Sequence, residues 1–148
     1  MLKDRIEAIL PLVQKPARYT GGELNSVVKN KDDVDIRFAF CFPDTYEIGM
    51  SHLGMKILYS LINSKENYWC ERVFAPDTDM EEIMRRQNIP LFALESRDAL
   101  ADFDVVGFTL QYELCFTNVL NMLNLSKIPL RSKDRGDSLD IPVVIAGG

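Results

Sequence analysis

The sequence predicts an α/β protein in which helices cover both faces of a doubly wound, mainly parallel sheet of the flavodoxin or Rossmann type. Runs of β-branched and aromatic residues at 36–42 and 104–110 have the composition of strands buried on both faces. Segments with apolar residues at helical spacing follow them at 50–62 and 115–125. Because strands and helices alternate and the crossovers are long, the strands are expected to pair in parallel.

The N-terminal part, residues 1–34, is expected to form a helix and an arm that precede an α/β domain at 35–148. Apolar residues on one face predict a short amphipathic helix over 2–14. Pro16 and the Gly21-Gly22 pair then predict an extended or turning arm over 15–31. Arg18, Tyr19 and Glu23 are the arm residues that could face a substrate or a second domain, but a purely structural role is favoured.

The middle of the chain predicts a second strand at 69–74 and a helix at 80–87. Asp77 or Thr78 can cap this helix, which has acidic residues in its first turn and arginines in its last. Residues 91–94 are either a short extra strand or a buried loop. A short helical turn is expected at 98–102.

The last part of the chain predicts a solvated loop at 131–140 and a final strand at 142–146, ending in Gly147-Gly148. No helix follows to cover a face of this strand. The chain is therefore expected to be the front part of a longer protein, truncated on its C-terminal side.

The composition is that of a folded domain, with 148 residues, 47% hydrophobic and 26% charged. The net charge is −5 and the basic residues are scattered, so nucleic acid is not an expected partner. The N-terminus resembles neither a signal peptide nor a membrane span, which favours the cytoplasm and no membrane contact.

Cys41, Cys70 and Cys115 lie far apart and mostly in apolar runs, which predicts reduced core thiols and no metal site.

Three polar or glycine-containing segments follow predicted strands and are expected to converge on one rim, where ligands bind in open α/β sheets. They are residues 44–49, residues 109–112 and the Gly147-Gly148 pair. The glycines would allow the backbone to approach a large planar or phosphate-bearing ligand. Asp44 can orient a neighbouring group. His52, the only histidine, begins the next helix, where a hydrogen-bonded structural role is favoured over ligand binding.

This layout resembles the cobalamin-binding domain of methionine synthase and the mutases, which has D-x-H-x-x-G after the first strand, S-x-L after the third and G-G after the fourth. Asp44, Gly49, Leu110, Gly147 and Gly148 match this pattern, Thr109 stands where Ser is usual, and Tyr46 stands in place of the histidine. In that family the histidine ligates cobalt and the aspartate fixes its tautomer. A phenol, with a pKa of about 10, is a poor substitute. The resemblance therefore implies a corrinoid cradle without a histidine ligand, formed by Asp44, Tyr46, Gly49, His52, Thr109, Leu110, Gly147 and Gly148.

A closer resemblance is found in longer sequence segments, namely KPARYTGGELNSVVK, FAFCFPDTYEIGMSHLGMKILY, ERVFAPDTDMEEIM, PLFALESR, FDVVGFTLQYELCFTNVLNML and PVVIAGG. Together they resemble the N-terminal region of a bacterial family of radical S-adenosylmethionine (SAM) proteins that carry a cobalamin-binding-like domain before the radical core. This resemblance implies a TIM-barrel-like radical SAM domain after Gly148, with a 4Fe–4S cluster on a C-x-x-x-C-x-x-C loop. The three cysteines of this chain have the wrong spacing for that loop, so the chain alone is not expected to perform radical chemistry.

Two functions stay open. The first is an accessory domain that cradles a corrinoid. The second is a degenerate, cofactor-free module that positions substrate or packs on the radical SAM domain, because the bulky Tyr46 and Tyr112 could fill the crevice. A receiver domain is not expected, since residues 109–111 occupy the strand end where its phosphoacceptor aspartate would stand.

Overall fold

A computed structural model describes all 148 residues and contains one four-stranded sheet with the strand order β2-β1-β3-β4. The strands are β1 (Ile36–Phe42), β2 (Tyr68–Phe74), β3 (Val105–Thr109) and β4 (Val143–Gly147). Every neighbouring pair is parallel. The predicted doubly wound α/β fold is therefore confirmed.

Six α-helices accompany the sheet: α1 (Leu2–Ile9), α2 (Tyr46–Met50), α3 (Leu53–Asn63), α4 (Thr78–Gln87), α5 (Phe116–Leu125) and α6 (Ser132–Arg135). Short 3-10 helices occupy Leu10–Leu12, Pro16–Tyr19, Lys31–Asp33, Leu100–Asp102 and Glu113–Cys115. None of the helices combines the length and the apolar character that crossing a membrane requires.

Several predicted boundaries are wrong in a systematic way. The predicted helix over 2–14 ends at Ile9, because a 3-10 turn containing Pro11 follows it. The predicted polar loop at 44–49 contains α2, and α3 begins only after His52. The predicted solvated loop at 131–140 contains the single-turn helix α6. Each error concerns a helix of one or two turns, for which periodicity is a weak signal.

The two faces of the sheet carry different helices. On one face α3 packs on side chains of β1 and β2, in a core cluster that includes Phe40, Phe42, Met55, Tyr59 and Cys70. On the other face lie α1, α4 and α5, in a larger cluster that includes Ile6, Cys41, Met84, Val106 and Met122. Strand β1 is therefore buried on both faces, as its continuous apolar sequence predicts.

The outer edge of β2 is covered by the segment at 91–96. The N–H of Leu94 donates to the carbonyl of Arg72, and the side chain of Glu95 accepts from the N–H of Arg72. Within this segment only Phe92 forms a bridge, with Ala99, so the buried-loop interpretation of 91–94 is confirmed. Covering the edge removes a free row of backbone donors and acceptors.

Candidate functional site

The strand order reverses between β1 and β3, since β1 leads to β2 on one side and the chain then returns to β3 on the other. In doubly wound sheets, the loops at the carboxyl ends of two such strands flank a crevice that binds ligands. Here these loops follow Phe42 and Thr109. The predicted site residues at positions 44–52 and 110–112 belong to these connections, and Thr109 is the last residue of β3.

Two side-chain hydrogen bonds join these loops across the reversal point. The hydroxyl of Tyr112 donates to Oδ2 of Asp44 at 3.0 Å. Nε2 of His52 lies 2.9 Å from Oε1 of Gln111, and the Gln111 amide donates to the hydroxyl of Thr109. The structure thus brings together Asp44, His52 and Thr109 of the predicted site, through two residues that were not predicted to bind a cofactor.

His52 is the N-cap of α3. Its Nδ1 accepts a hydrogen bond from the N–H of Met55 at 3.1 Å. That leaves the proton on Nε2, which donates to Gln111. The ring also packs on Phe42, with centroids 5.2 Å apart. Both ring nitrogens are therefore used within the protein, which is the structural role that the sequence favours.

Asp44 accepts hydrogen bonds through both its side chain and its backbone carbonyl. Its Oδ1 accepts from the N–H of Thr45 at 2.7 Å, and its carbonyl accepts from the N–H of Ala75 in the loop after β2. The bond from Tyr112 raises the pKa of that phenol above its ordinary value, because the neighbouring carboxylate opposes ionisation. Asp44 therefore ties together the loops that follow β1, β2 and β3.

Tyr46, the residue in the position of the cobalt-ligating histidine, points away from the crevice. Its hydroxyl donates to Oε1 of Glu23 in the N-terminal arm at 2.6 Å, and its ring meets Phe74 edge to face. Burial, followed by the bond to Glu23, raises the pKa of Tyr46 to about 12. The expectation that Tyr46 could fill the crevice is thus wrong, whereas Tyr112 does reach across it.

The three predicted glycines have different surroundings. A Cβ on Gly49 would lie 2.2 Å from Cε1 of Phe74, so this glycine allows α2 to pack closely on an aromatic ring. A Cβ on Gly147 would meet nothing within 4 Å. The carbonyl of Gly147 accepts from the N–H of Leu110 at 2.8 Å, and Gly148 lies against the carbonyl of Leu110. The ends of β3 and β4 are therefore joined directly.

A cavity of about 730 Å³ lies elsewhere, between the arm and α3. Arg72, on the α3 face of β2, lines it together with Glu23 and Tyr59. Arg72 donates to Glu95 through Nε at 2.6 Å and to Glu23 through Nη2 at 2.6 Å. Of the eight predicted cofactor residues only Gly49 lines this cavity.

The pKa values of the two carboxylates bonded to Arg72, Glu95 and Glu23, are shifted in opposite directions. Burial raises the pKa of Glu95, against the effect of the Arg72 guanidinium. For Glu23, burial is outweighed by hydrogen bonds from Tyr46 and Arg72, which lower its pKa to about 2. Glu23 therefore carries a charge at every pH above strongly acidic conditions, and it ties the arm to β2.

A second buried charge cluster lies on the opposite face, where Arg37 of β1 donates to Glu71 of β2 at 2.5 Å and to Asp98 at 2.9 Å. Glu71 is completely buried. Sequence reasoning missed both clusters, although two adjacent charges inside the predicted strand at 69–74 were a usable signal. The arm residues Arg18 and Tyr19 likewise bind the domain itself, through Asp77.

No group of three or more His, Cys, Asp or Glu side chains is placed to hold a metal ion. Cys41, Cys70 and Cys115 are free and buried, which confirms the predicted core position of the three thiols. The residues at the reversal point do not fit a histidine-ligated corrinoid, since Tyr46 binds Glu23 and His52 has both nitrogens engaged.

Comparison with known proteins gives one match. The protein-family model for the N-terminal region of radical SAM proteins matches residues 54–148, which are nearly two thirds of the chain. Neither the curated proteins nor the solved structures include a significant match. The matched segment runs from the start of α3 to the end of the chain and so contains β2, β3 and β4. The chain belongs to the family of radical SAM protein N-terminal regions.

Proposed function

We propose that this chain is the accessory N-terminal domain of a radical SAM enzyme and that it packs on the radical SAM domain without holding a corrinoid. The full-length protein would carry the 4Fe–4S cluster and bind SAM through that second domain. The N-terminal domain would contribute a rigid surface rather than a reactive group.

The observation that carries this proposal is the pair of hydrogen bonds across the reversal point, from Tyr112 to Asp44 and from His52 to Gln111. A corrinoid with a nucleotide tail needs a deep, open crevice between these loops. Here the polar groups that could receive such a ligand are bonded to one another. Breaking these bonds would cost free energy on binding.

A corrinoid held without a protein ligand to cobalt is the second candidate. It is favoured by the position of Asp44, Thr109 and Leu110 at one rim, next to the end of β4. The space beside Gly147 is open, so a ligand could approach its backbone.

Equilibrium dialysis of the full-length protein against hydroxocobalamin, at micromolar protein and under oxidising and reducing conditions, distinguishes the two. The first function predicts no retention and no spectral change. Retention of cobalamin with a shifted spectrum, lost in Gly147→Trp, would overturn it in favour of the second. A Leu24→Trp variant serves as the control, since Leu24 lies in the arm and is 99% exposed.

The radical SAM assignment has its own test. Full-length protein reconstituted with iron and sulfide is expected to show the absorbance of a 4Fe–4S cluster and, after reduction, to cleave SAM. A reconstituted protein that binds no iron would contradict this part of the proposal, whatever the result with cobalamin.

A further inference from the structure

The cavity between the arm and α3 plays no part in the proposed packing role, yet it has the size and the lining of a small-molecule site. Its volume of about 730 Å³ falls within the range of about 300 to 1,000 Å³ that is usual for ligand pockets. The arm, α2, α3 and β2 each contribute to its walls. We call it the arm cavity.

The arm side of this cavity is fixed by hydrogen bonds to the body of the domain. The N–H of Val27 donates to the hydroxyl of Tyr59 at 2.7 Å, and the carbonyl of Val27 accepts from Nε1 of Trp69 at 2.9 Å. The Tyr59 hydroxyl in turn donates to Glu95 at 3.0 Å. Because the wall is already held in place, a ligand would not have to order the arm on binding.

Arg72 lines the arm cavity although its side chain is only 7% exposed. Its guanidinium lies 5.1 Å from the centre of the Tyr59 ring, and its bonds to Glu95 and Glu23 use Nε and Nη2. The remaining nitrogen, Nη1, has the thioether sulfur of Met50 as its partner, at 3.3 Å. A thioether is a weak acceptor. One nitrogen of a buried cation thus lacks a strong acceptor, and it lies beside a methionine that also lines the cavity.

The polar groups of the arm cavity that are free to bind a ligand are mainly donors. Both oxygens of Glu23 are occupied, one by Tyr46 and the other by Arg72. Lys56, by contrast, is exposed and lines the cavity with its ammonium group available. Arg72 and Lys56 together balance the two carboxylates that bond to Arg72. The cavity therefore suits a ligand with one negative charge better than a phosphate with two.

The rest of the lining is apolar. Met50 and Met55 come from the helix side of the cavity, and Leu24 and Val27 come from the arm. Methionine side chains are unbranched and polarisable, so they adapt to ligands of irregular shape. A ligand for this cavity therefore needs an apolar body as well as an acidic group.

We infer that the arm cavity binds a small organic acid. Its carboxylate accepts a hydrogen bond from Nη1 of Arg72 and pairs with Lys56, and its apolar body lies against Met50 and Met55. This site is separate from the crevice at the reversal point. The inference goes beyond the proposed packing role and does not rest on it.

The first test compares two probes of the same shape, hydrocinnamate and its neutral amide, hydrocinnamamide. Each is titrated against the full-length protein at neutral pH, and binding is followed by saturation-transfer difference NMR. Hydrocinnamate should bind at least about threefold more tightly than the amide, because a hydrogen bond to a carboxylate is charge-assisted. Absence of saturation transfer to either probe would overturn the inference. Equal affinity for the two probes would overturn the choice of an acid and the inference with it.

The second test fills the arm cavity from two sides. Ser60 of α3 and Asn25 of the arm both line it and are exposed, so Ser60→Trp and Asn25→Trp should each leave the fold intact. Each should weaken the binding of hydrocinnamate at least about tenfold, because the ring takes the place of the ligand. Leu58→Trp is the control, since Leu58 belongs to the same helix, is 47% exposed and does not line the cavity. Unchanged affinity in both cavity variants, with circular dichroism of the unmodified protein, would place the probe elsewhere and overturn the inference.

The third test removes the free cation. Lys56→Gln should weaken the binding of hydrocinnamate about two- to fivefold, as expected for an exposed ion pair, and should leave the affinity for hydrocinnamamide unchanged. Lys3→Gln in α1 is the control, because Lys3 is exposed and does not line the cavity. An equal loss for the acid and the amide would contradict the pairing of the carboxylate with Lys56. Retention of cobalamin would contradict only the proposed function.

Discussion

Nε of Arg72 donates a 2.6 Å hydrogen bond to Glu95, and the two side chains expose only 7% and 1% of their surface. This pair joins β2 to the segment that covers its edge. A buried cation left without its counter-charge destabilises a fold strongly, whereas an exposed ion pair contributes little.

Replacement of Glu95 by Gln removes one of the two carboxylates bonded to Arg72 and leaves Glu23 in place, so it should lower the free energy of unfolding by about 2 kcal/mol. The exposed pair Glu81–Arg85 within α4 gives the matched control, and Glu81→Gln should cost no more than about 0.5 kcal/mol. Urea denaturation followed by circular dichroism measures both. Equal losses in the two variants would mean that the bond to Glu23 alone satisfies Arg72.

Gly49→Ala should lower the free energy of unfolding by about 2 kcal/mol, because its Cβ would overlap the Phe74 ring. This loss opposes the usual gain from replacing glycine by alanine in a helix. Gly147→Ala, which meets open space, should change stability by less than about 0.5 kcal/mol. The double variant Gly49→Ala, Phe74→Leu should recover part of the loss if the overlap is the cause.

Acid should weaken the attachment of the arm through Glu23. Its pKa is about 2 in the folded protein and 4.5 ordinarily, so its contribution is complete above pH 4.5 and is lost as the pH falls toward 2. After allowance for solvent screening of a partly exposed side chain, the loss is about 1 to 2 kcal/mol. In Glu23→Gln the difference between unfolding free energies at neutral and acidic pH should shrink by this amount. An unchanged pH profile would argue against the bonds to Arg72 and Tyr46.

Asp44→Asn should lower the pKa of Tyr112, because the carboxylate that opposes ionisation of the phenol is removed. Ultraviolet titration of phenolate absorbance detects the change, and Tyr112→Phe identifies the residue responsible. If Asp44→Asn and the unmodified protein titrate identically, the bond across the reversal point does not form in solution.

Cys41 and Cys70 should react with a thiol reagent only when the protein unfolds, since burial both shields them and raises the pKa of each thiol. Their labelling rate should follow the rate of unfolding as denaturant is added. Fast labelling of either residue in the native protein would contradict their place in the core.

The local sequence predicts which residues lie at the carboxyl ends of the strands, but it does not predict the direction of every side chain there. Asp44 follows one apolar strand and Thr109 ends another, so their position at one rim was predictable. The direction of Tyr46 was not, because it depends on Glu23, which lies 23 residues earlier in the chain. Nothing in the local pattern indicates a partner that far away.

The sequence by itself determined the four parallel strands, the helices of ten or more residues and the buried state of the three cysteines. These follow from hydrophobic pattern and length, which act locally along the chain. Only the tertiary structure decided the partners of Arg37 and Arg72, the bond between Tyr112 and Asp44, and the direction of Tyr46. Each of these depends on strand order and on contacts between distant segments, because a side chain's charge state and exposure are set by what packs against it.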